Sequence, residues 1–555
     1  MKNNIPGDSS GSGEGYASAG GRAFLRVRAH ILLALLIVFV SVAARLHGLG
    51  QRSLWFDESI IVLEVYNPAP ENTDTGSGDI HPPLFRILWR YLTQISAPPE
   101  AEVSSLQKTE EDTPLVFNER ALRLPSVLFS LLAVVLIYAI GKSLFGTDIA
   151  LSSAALMGIS AFQVYYAQEI KMYALFECLS LASGLLFITA LKNGRKLFWA
   201  GHSLVNALAL YTHYSAFLLL GGQAVFVLFY SICRSGRRTV KYWVASSLFT
   251  ALLFLPWSGK MLHHILRVRG HFWVPPPTPG QLAGIFKNFF FGYHTAFSGS
   301  TAGTLATLAV CLAPTLYLAR CAVRRDGAYS WGRSDSAVFI FVSIFVPFLA
   351  ALALSPLFCP LLFDRPLIFA SGYFYLLFAC GLRLLFRRSP AAAVCLSAVF
   401  LAVSMLALRG YYRNENFEPS AGVVMNKPLR EVCDYIKRAY KPGETVLLSH
   451  YGMLYPMACY LPRRMLPGIF LIDSPVEDKY EKNTLYGMLR MPWVKTAAER
   501  QLHGKEGGLW LVCGGWNREI IRPPAGMAEF LSRQRLVKEN RAFEGVEIYY
   551  YELRR

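Results

Sequence analysis

Long apolar runs recur along the chain, separated by short polar or basic breaks. A helix needs about 20 apolar residues to cross a ~30 Å hydrocarbon core. By that measure the pattern predicts eleven membrane helices, near 29–46, 121–141, 149–166, 173–191, 197–213, 214–233, 242–259, 300–319, 336–356, 365–382 and 390–408. The windows at 197–213 (Gly201, His202, Asn206) and 365–382 (Pro366, Gly372) are the most interrupted. Two further stretches, Trp55–Val65 and Pro83–Gln94, are amphipathic and rich in aromatic residues. They suit helices lying in the membrane interface. Asn67–Gly78 between them reads as a flexible link, and the acidic 96–118 reads as an exposed excursion.

Past residue 409 the periodicity changes. Leu429–Tyr440 has helical spacing and stops at Lys441-Pro442-Gly443. Strand-like runs follow at Thr445–Ser449, Gly468–Ile472, Leu509–Cys513 and Val546–Leu553. Strands alternating with helical segments predict a small α/β domain. The chain thus divides into 1–28, a Gly/Ser-rich disordered cytoplasmic tail; 29–409, an all-α polytopic membrane domain with its first outer loop at 47–120; and 410–555, a soluble α/β domain. No Ala-x-Ala site follows Ile31–Val42, so the first helix is read as retained rather than cleaved.

Composition agrees. The 555 residues are 53% hydrophobic and 17% charged, with a mean hydropathy of +0.34. A soluble protein carries about a quarter charged residues, so a soluble multidomain enzyme and a disordered chain are both excluded. The net charge of +18 could suggest nucleic acid, but its placement argues otherwise. With the N-terminus cytoplasmic, the inner segments hold 19 Lys/Arg against 5 Asp/Glu, whereas residues 45–123 hold 7 basic and 12 acidic residues. That asymmetry is the positive-inside rule. An odd helix count then puts the tail outside. The ten cysteines show no Cys-x-x-Cys, and Cys433, Cys459 and Cys513 in the tail are open to either a bridge or buried thiols.

Ionisable residues at membrane depth are costly and mark function by default. They collect here at the mouths of the outer loops: Asp57, Glu58 and His81; Glu169 and Lys171; His213; Arg267, Arg269 and His271; Asp364 and Arg365. Helix-end anchoring accounts for Arg267, Arg269 and Asp364 taken singly. It does not account for Asp57 and Glu58, an adjacent acid pair inside the aromatic segment Leu54-Trp-Phe-Asp-Glu58. The two are about 100° apart on a helix, so one carboxylate faces the site and the other a supporting partner. Glu169 and Lys171 are two apart and reach one cavity only if the turn between them is irregular. Pro82-Pro83 sets a helix start and holds His81 at the membrane surface. An acid near an acceptor hydroxyl can serve as general base, and cations can neutralise a leaving phosphate.

Leu54-Trp-Phe-Asp-Glu58 followed by His81-Pro-Pro-Leu-Phe85 resembles the first-loop signature of the GT-C membrane glycosyltransferases. The closer likeness is to the bacterial glycosyltransferase family 39 branch, related to protein O-mannosyltransferases and aminoarabinose transferase. Asn118-Glu-Arg-Ala-Leu-Arg-Leu-Pro125, Tyr166-Ala-Gln-Glu-Ile-Lys-Met-Tyr173 and Ala209-Leu-Tyr-Thr-His-Tyr214 resemble the same branch. The likeness covers residues 30–230 well and 360–382, through Asp364-Arg-Pro, loosely. It implies a GT-C-like fold and transfer of a sugar from a polyprenyl-phosphate donor to a lipid, glycan or protein acceptor on the outer face of a bacterial cytoplasmic membrane. Partners would be membrane lipids and the donor, with no nucleic acid.

By that resemblance Asp57 is the base or acceptor-positioning acid, and Glu169 and Glu58 complete the catalytic set. His81, Lys171, Arg365, Tyr166, Tyr173 and His213 face the donor phosphate and sugar. Some members use a divalent metal (Mg, Mn or Zn) and others none. Asp57, Glu169 and His81 are the residues that could ligate one. The tail lacks the repeats of protein mannosyltransferases, which leaves the acceptor open. A multi-pass lipid or solute transporter is the alternative; it calls for inverted repeats and charges at mid-bilayer, and neither is evident in the sequence.

Overall fold

The computed structural model describes residues 13–66, 80–94, 118–234, 237–269, 276–295, 332–415, 426–472, 495–497, 507–515 and 520–553, with 274, 315 and 502 as single positions. The helical part runs α1 (Gly13–Leu46), α2 (Phe56–Tyr66), α3 (Leu84–Gln94), α4 (Glu119–Phe145), α5 (Thr147–Ile159), α6 (Ala161–Ala167), α7 (Tyr173–Asn193), α8 (Lys196–Leu210), α9 (Ala216–Arg234), α10 (Arg237–Val268), α11 (Pro279–Phe291), α12 (Arg333–Leu354), α13 (Ile368–Arg388) and α14 (Pro390–Arg413). Eight of the described helices are long and apolar enough to cross a membrane, or nine if the bent pair α5–α6 is one span. The chain is therefore a multi-pass membrane protein.

The helix near 300–319, residue 315 apart, lies outside the described residues, as do the Asn67–Gly78 link and nearly all of 96–118. Two expectations change. The window at 197–213 is α8, whose 15 residues are short for a span. Finally, α1 begins at Gly13, so residues 13–28 continue the first helix instead of forming part of a disordered tail. The short α11, with its Phe289-Phe290-Phe291 run, has no counterpart in the expected pattern.

The break between α5 and α6 bends the chain by 62°. Ser160 caps α6 by accepting from the Gln163 amide at 3.4 Å. The carbonyls freed at the end of α5 are met by Arg45, fully buried in α1. Its guanidinium donates to the Gly158 carbonyl at 2.8 Å, the Met157 carbonyl at 3.4 Å and the Ser130 hydroxyl at 2.9 Å. A backbone break at membrane depth persists only where protein groups re-satisfy it. One consequence is local: α6 is a short, redirected piece that delivers residues 168–172 as an irregular turn.

The tail continues with α15 (Leu429–Ala439), β1 (Thr445–Leu448), α16 (Leu454–Tyr460), β2 (Ile469–Ile472), β3 (Lys495–Ala497), β4 (Gly507–Cys513), α17 (Ala525–Ser532), β5 (Arg535–Phe543) and β6 (Val546–Leu553). They form one six-stranded sheet in the order β3-β2-β1-β4-β6-β5. The first four strands are parallel and the last two antiparallel. A Cβ at Gly508 would crowd the Tyr550 hydroxyl and the Glu444 carboxylate, and these side chains would have to shift to admit it. Cys433, Cys459 and Cys513 are buried free thiols, so no bridge joins them.

The two parts share one hydrophobic core, which runs from the membrane helices through Leu54, Ile61 and Trp89 to Leu429, Leu454 and Met457. At the seam α16 lies on α2. Phe56 meets Tyr455 and Tyr451 edge-on, at 5.0 and 5.8 Å between ring centres. The Tyr460 hydroxyl accepts from the Leu54 amide at 2.7 Å and donates to Glu119 at 2.9 Å.

Candidate active site

Helix α2 starts immediately after Leu54-Trp55 and places two acids in its first turn. Glu58 points inward and is buried. Its carboxylate takes a bidentate pair from Arg123 of α4, Nε to Oε1 at 2.9 Å and Nη2 to Oε2 at 2.6 Å. It also accepts from the Ile170 amide at 3.0 Å and from the Trp55 amide at 3.3 Å. Arg123 in turn caps the carbonyls of Leu49, Arg52 and Ser53. With both oxygens engaged by protein, Glu58 holds the first loop to α4 and to the 168–172 turn. This departs from the catalytic role expected for it, since no lone pair is left to face a substrate.

Asp57 is turned the other way, and 27% of its side chain remains exposed. Two cations approach its Oδ2: Lys171 Nζ at 3.7 Å and Arg365 Nη1 at 3.6 Å. Both distances exceed the 2.7–3.2 Å of an N–H···O hydrogen bond, so neither cation is locked to the acid. Lys171 comes from the irregular turn after α6, and Arg365 from the loop before α13. The Arg365 guanidinium lies 5.5 Å from the ring centres of Trp55 and Tyr173. Side-chain exposure of Arg365 is 3%.

The Arg365 loop is itself anchored. Asp364 accepts from the Arg365 amide at 3.0 Å, from Asn288 Nδ2 at 3.0 Å and from the Tyr293 hydroxyl at 2.7 Å. Tyr166 and Tyr293 are 2.6 Å apart through their hydroxyls. Because the Tyr293 proton goes to Asp364, Tyr166 is the donor in that pair. Burial pushes the Asp364 carboxyl above its ordinary value, opposed by the bonds from Tyr293 and Asn288.

Glu169, also buried, has no hydrogen-bond partner on either oxygen among the described residues. Burial drives its carboxyl up to about 8, against the pull of Arg365 and with the neighbouring acids Glu58 and Asp57 adding to the rise. Among the same described residues Arg365 has Nε and Nη2 without a partner. His213 lies beside Tyr173, 6.0 Å between ring centres, and is stacked on Phe176 at 5.1 Å; the His81 imidazole is 5.9 Å from that of His213. His213 Nδ1 accepts from the Ser215 amide at 3.1 Å.

The structure therefore gathers Asp57, Lys171, Arg365 and Tyr173 at one point, with Glu169 electrostatically coupled to the acids and cations there. Tyr166 joins from behind through Tyr293, and His213 and His81 extend the aromatic side. Arg267 and Arg269 sit at the C-terminal end of α10, and His271 lies outside the described residues. Arg123, Tyr293 and Asn288 support the site without having been expected. Arg123 stood within a quoted motif, but nothing local marked it as the partner of Glu58. The metal expectation fares differently. Among the described residues no three His, Cys, Asp or Glu side chains come together to hold one ion. Asp57 meets two cations instead, and His81 is paired in space with His213. Asp57, Glu169 and His81 thus do not form a ligand set.

The bundle of long apolar helices, joined to a small C-terminal sheet domain, has a GT-C-like fold. Residues 115–259 match the family model for dolichyl-phosphate-mannose-protein mannosyltransferase. No curated protein matches the chain. Among solved structures it is similar to ArnT from Cupriavidus metallidurans in the apo state, at 10% identity and a TM-score of 0.57, covering 95% of this chain and 98% of that one. The same enzyme bound to undecaprenyl phosphate gives 10% identity and 0.57 over 93% and 97%. The Archaeoglobus fulgidus oligosaccharyltransferase in complex with zinc and sulfate is similar at 12% identity and a TM-score of 0.50, over 86% of this chain and 67% of that one.

Proposed function

We propose that this protein is a glycosyltransferase that moves a sugar from a polyprenyl-phosphate donor to an acceptor hydroxyl on the outer face of a bacterial cytoplasmic membrane. The observation that carries the reading is Asp57: a partly exposed carboxylate on an interfacial helix, with Lys171 and Arg365 beside it but not locked to it. The family-model match over 115–259 and the likeness to a structure bound to undecaprenyl phosphate support the same chemistry.

In this reading the acceptor oxygen attacks the anomeric carbon from the face opposite the phosphate. Its proton passes to Asp57 as general base. The bond between the anomeric carbon and the phosphate oxygen breaks, and both its electrons leave with the polyprenyl phosphate. Lys171 and Arg365 offset the charge that builds on that oxygen, the kind of preorganised stabilisation that is worth most where water is excluded. The sugar arrives inverted. Trp55 and Tyr173 keep the Arg365 guanidinium in place, while Glu58 and Arg123 fix the loop that presents Asp57. The acceptor, whether lipid, glycan or protein, approaches from the exposed side of Asp57, with the 410–555 domain outside the membrane beside it.

The test is an assay of the purified full chain with radiolabelled polyprenyl-phosphate sugars and candidate acceptors. Transfer with inversion, lost in Asp57→Asn, supports the reading. Absence of transfer and of any polyprenyl-phosphate binding overturns it.

A further inference from the structure

Asp364, next to Arg365 in the chain, is buried and has both carboxylate oxygens engaged. Oδ1 accepts from the Arg365 amide at 3.0 Å; Oδ2 accepts from Asn288 Nδ2 at 3.0 Å and from the Tyr293 hydroxyl at 2.7 Å. The main chain around it is folded into a turn. The Leu367 amide returns to the Asp364 carbonyl at 3.2 Å, and the Ile368 amide to the Arg365 carbonyl at 3.3 Å. Arg365 thus leaves a fixed piece of backbone whose place is set by the two donors that Asp364 holds. Both donors come from the C-terminal end of α11 and the residues just past it.

That end of α11 is tied to its neighbours on two sides. Gly292 closes the helix with φ +62°, and a Cβ there would come within 3.0 Å of the Ala161 side chain and 3.3 Å of the Phe162 amide nitrogen. A residue with positive φ and no side chain lets the chain turn hard against the start of α6. The Tyr375 hydroxyl, from α13, donates to the Phe289 carbonyl at 2.6 Å and fixes the last turn. Tyr293 then sets its hydroxyl between Asp364 and Tyr166 of α6, 2.7 Å from the acid and 2.6 Å from the phenol. The α6 side is itself held: just beyond it, Gln168 donates to the carbonyls of Arg45 and His47, each at 2.8 Å. One hydroxyl therefore ties the loop that carries Arg365 to the element that delivers Lys171, and those are the two cations that meet at Asp57.

Resting on the glycosyltransferase reading above, we infer that Tyr293 is a positioning residue, which holds Arg365, through Asp364, in register with the Lys171 turn so that both cations reach one donor phosphate. The role belongs to its hydroxyl, because the ring alone would fill the same space without fixing Asp364. A group misplaced by about 1 Å can cost about 100-fold in rate, so a bond this far behind the reacting atoms still bears on them. A buried acid needs hydrogen-bond partners in any case, and that need alone would make Tyr293 a support of the fold. The two roles differ in whether the loss on removing the hydroxyl depends on Arg365.

The experiment measures binding of undecaprenyl phosphate, and of undecaprenol, which lacks the phosphate, to the purified full chain. The same is done for Tyr293→Phe, Arg365→Met and the double variant. In Tyr293→Phe the affinity for undecaprenyl phosphate should fall about tenfold or more, as expected for losing a hydrogen bond to a charged group. Undecaprenol should bind within about twofold of wild type, the scatter of independent sites. Arg365→Met weakens phosphate binding by itself, and adding Tyr293→Phe to it should cost less than about twofold more, since the group being positioned is gone. Equal losses in the two backgrounds, or an equal loss for undecaprenol, would make Tyr293 a support of the fold only, and either result overturns the inference. So does a Tyr293→Phe affinity within about twofold of wild type. If Tyr293→Phe does not fold, Asn288→Ser, which removes the other donor to the same Asp364 oxygen, carries the same comparison. Absence of undecaprenyl phosphate binding by the wild type points instead at the underlying glycosyltransferase reading, and the inference falls with it.

Discussion

Asp57 and Glu58, neighbours in sequence, are held at opposite ends of one local arrangement. Glu58 is buried in a bidentate pair with Arg123, and Asp57 stands partly exposed with Lys171 and Arg365 near it. The rigid acid orients the helix, and the freer one is left for chemistry. Replacing Asp57 by Asn keeps the size and removes the proton acceptor. We expect transfer to fall by about 10²–10⁴-fold, the usual contribution of a general base, while insertion, thermal stability and undecaprenyl phosphate binding stay close to wild type. Near-normal turnover in that variant would remove Asp57 from the mechanism.

The Glu58–Arg123 pair predicts the opposite signature. Removing one partner of a buried pair leaves an uncompensated charge and costs about 3–5 kcal/mol. Glu58→Gln and Arg123→Met should therefore lower the unfolding temperature markedly and reduce expression in the membrane, with activity falling in proportion to the folded fraction. The double replacement should cost less than the two singles added together, because it removes both charges. Thermal unfolding in detergent, read alongside activity per folded molecule, separates this from a catalytic loss.

Most of the spans were legible because a membrane helix is a local property: some twenty apolar residues suffice, whatever packs beside them. The four strands read from the tail were legible for a similar reason, since β1, β2 and β4 are near-continuous apolar runs and β6 alternates. β5 was not. Its sequence, Arg535-Leu-Val-Lys-Glu-Asn-Arg-Ala-Phe543, is too charged to announce a strand. It is extended because it pairs with β6, with register shifts at Leu536/Lys538 and Lys538/Arg541. The short α11 escaped notice because 13 residues fall below the length of a span. In the site, Asp57, Glu169, Lys171 and Arg365 stand out as ionisable groups in apolar surroundings. Which of them pair cannot be read from spacing. Glu58 and Arg123 are 65 residues apart, and Tyr293 reaches Asp364 across 71.

The seam between the tail and the first loop should matter to the site. Tyr460 is the acceptor for the Leu54 amide and the donor to Glu119, and Leu54 sits just before the helix that carries Asp57. Tyr460→Phe keeps the ring and deletes both bonds, leaving the Leu54 amide without its partner. The expected cost is about 1–3 kcal/mol. Limited proteolysis should cut between the tail and the membrane part faster in this variant, and turnover should fall more than donor binding. Unchanged protease sensitivity would show that Phe56, Tyr451 and Tyr455 hold the seam without Tyr460.

Glu169 carries the clearest pH signature. Its carboxyl is raised from 4.5 to about 8, chiefly by burial. Between those values the folded protein keeps a proton that the unfolded chain has lost. Stability therefore falls as pH rises through this window, by linkage, and the loss is complete above about 8. The contribution is fully favourable near and below pH 4.5, where both states are protonated and the buried group is neutral. Glu169→Gln is neutral at every pH, so its unfolding temperature should lack this component of the decline and should exceed that of the wild type most clearly at pH 8–9. Unfolding curves for the two proteins from pH 5 to pH 9 measure the difference directly. Parallel curves would mean that Glu169 is ionised throughout, and that Arg365 and Lys171 outweigh its burial.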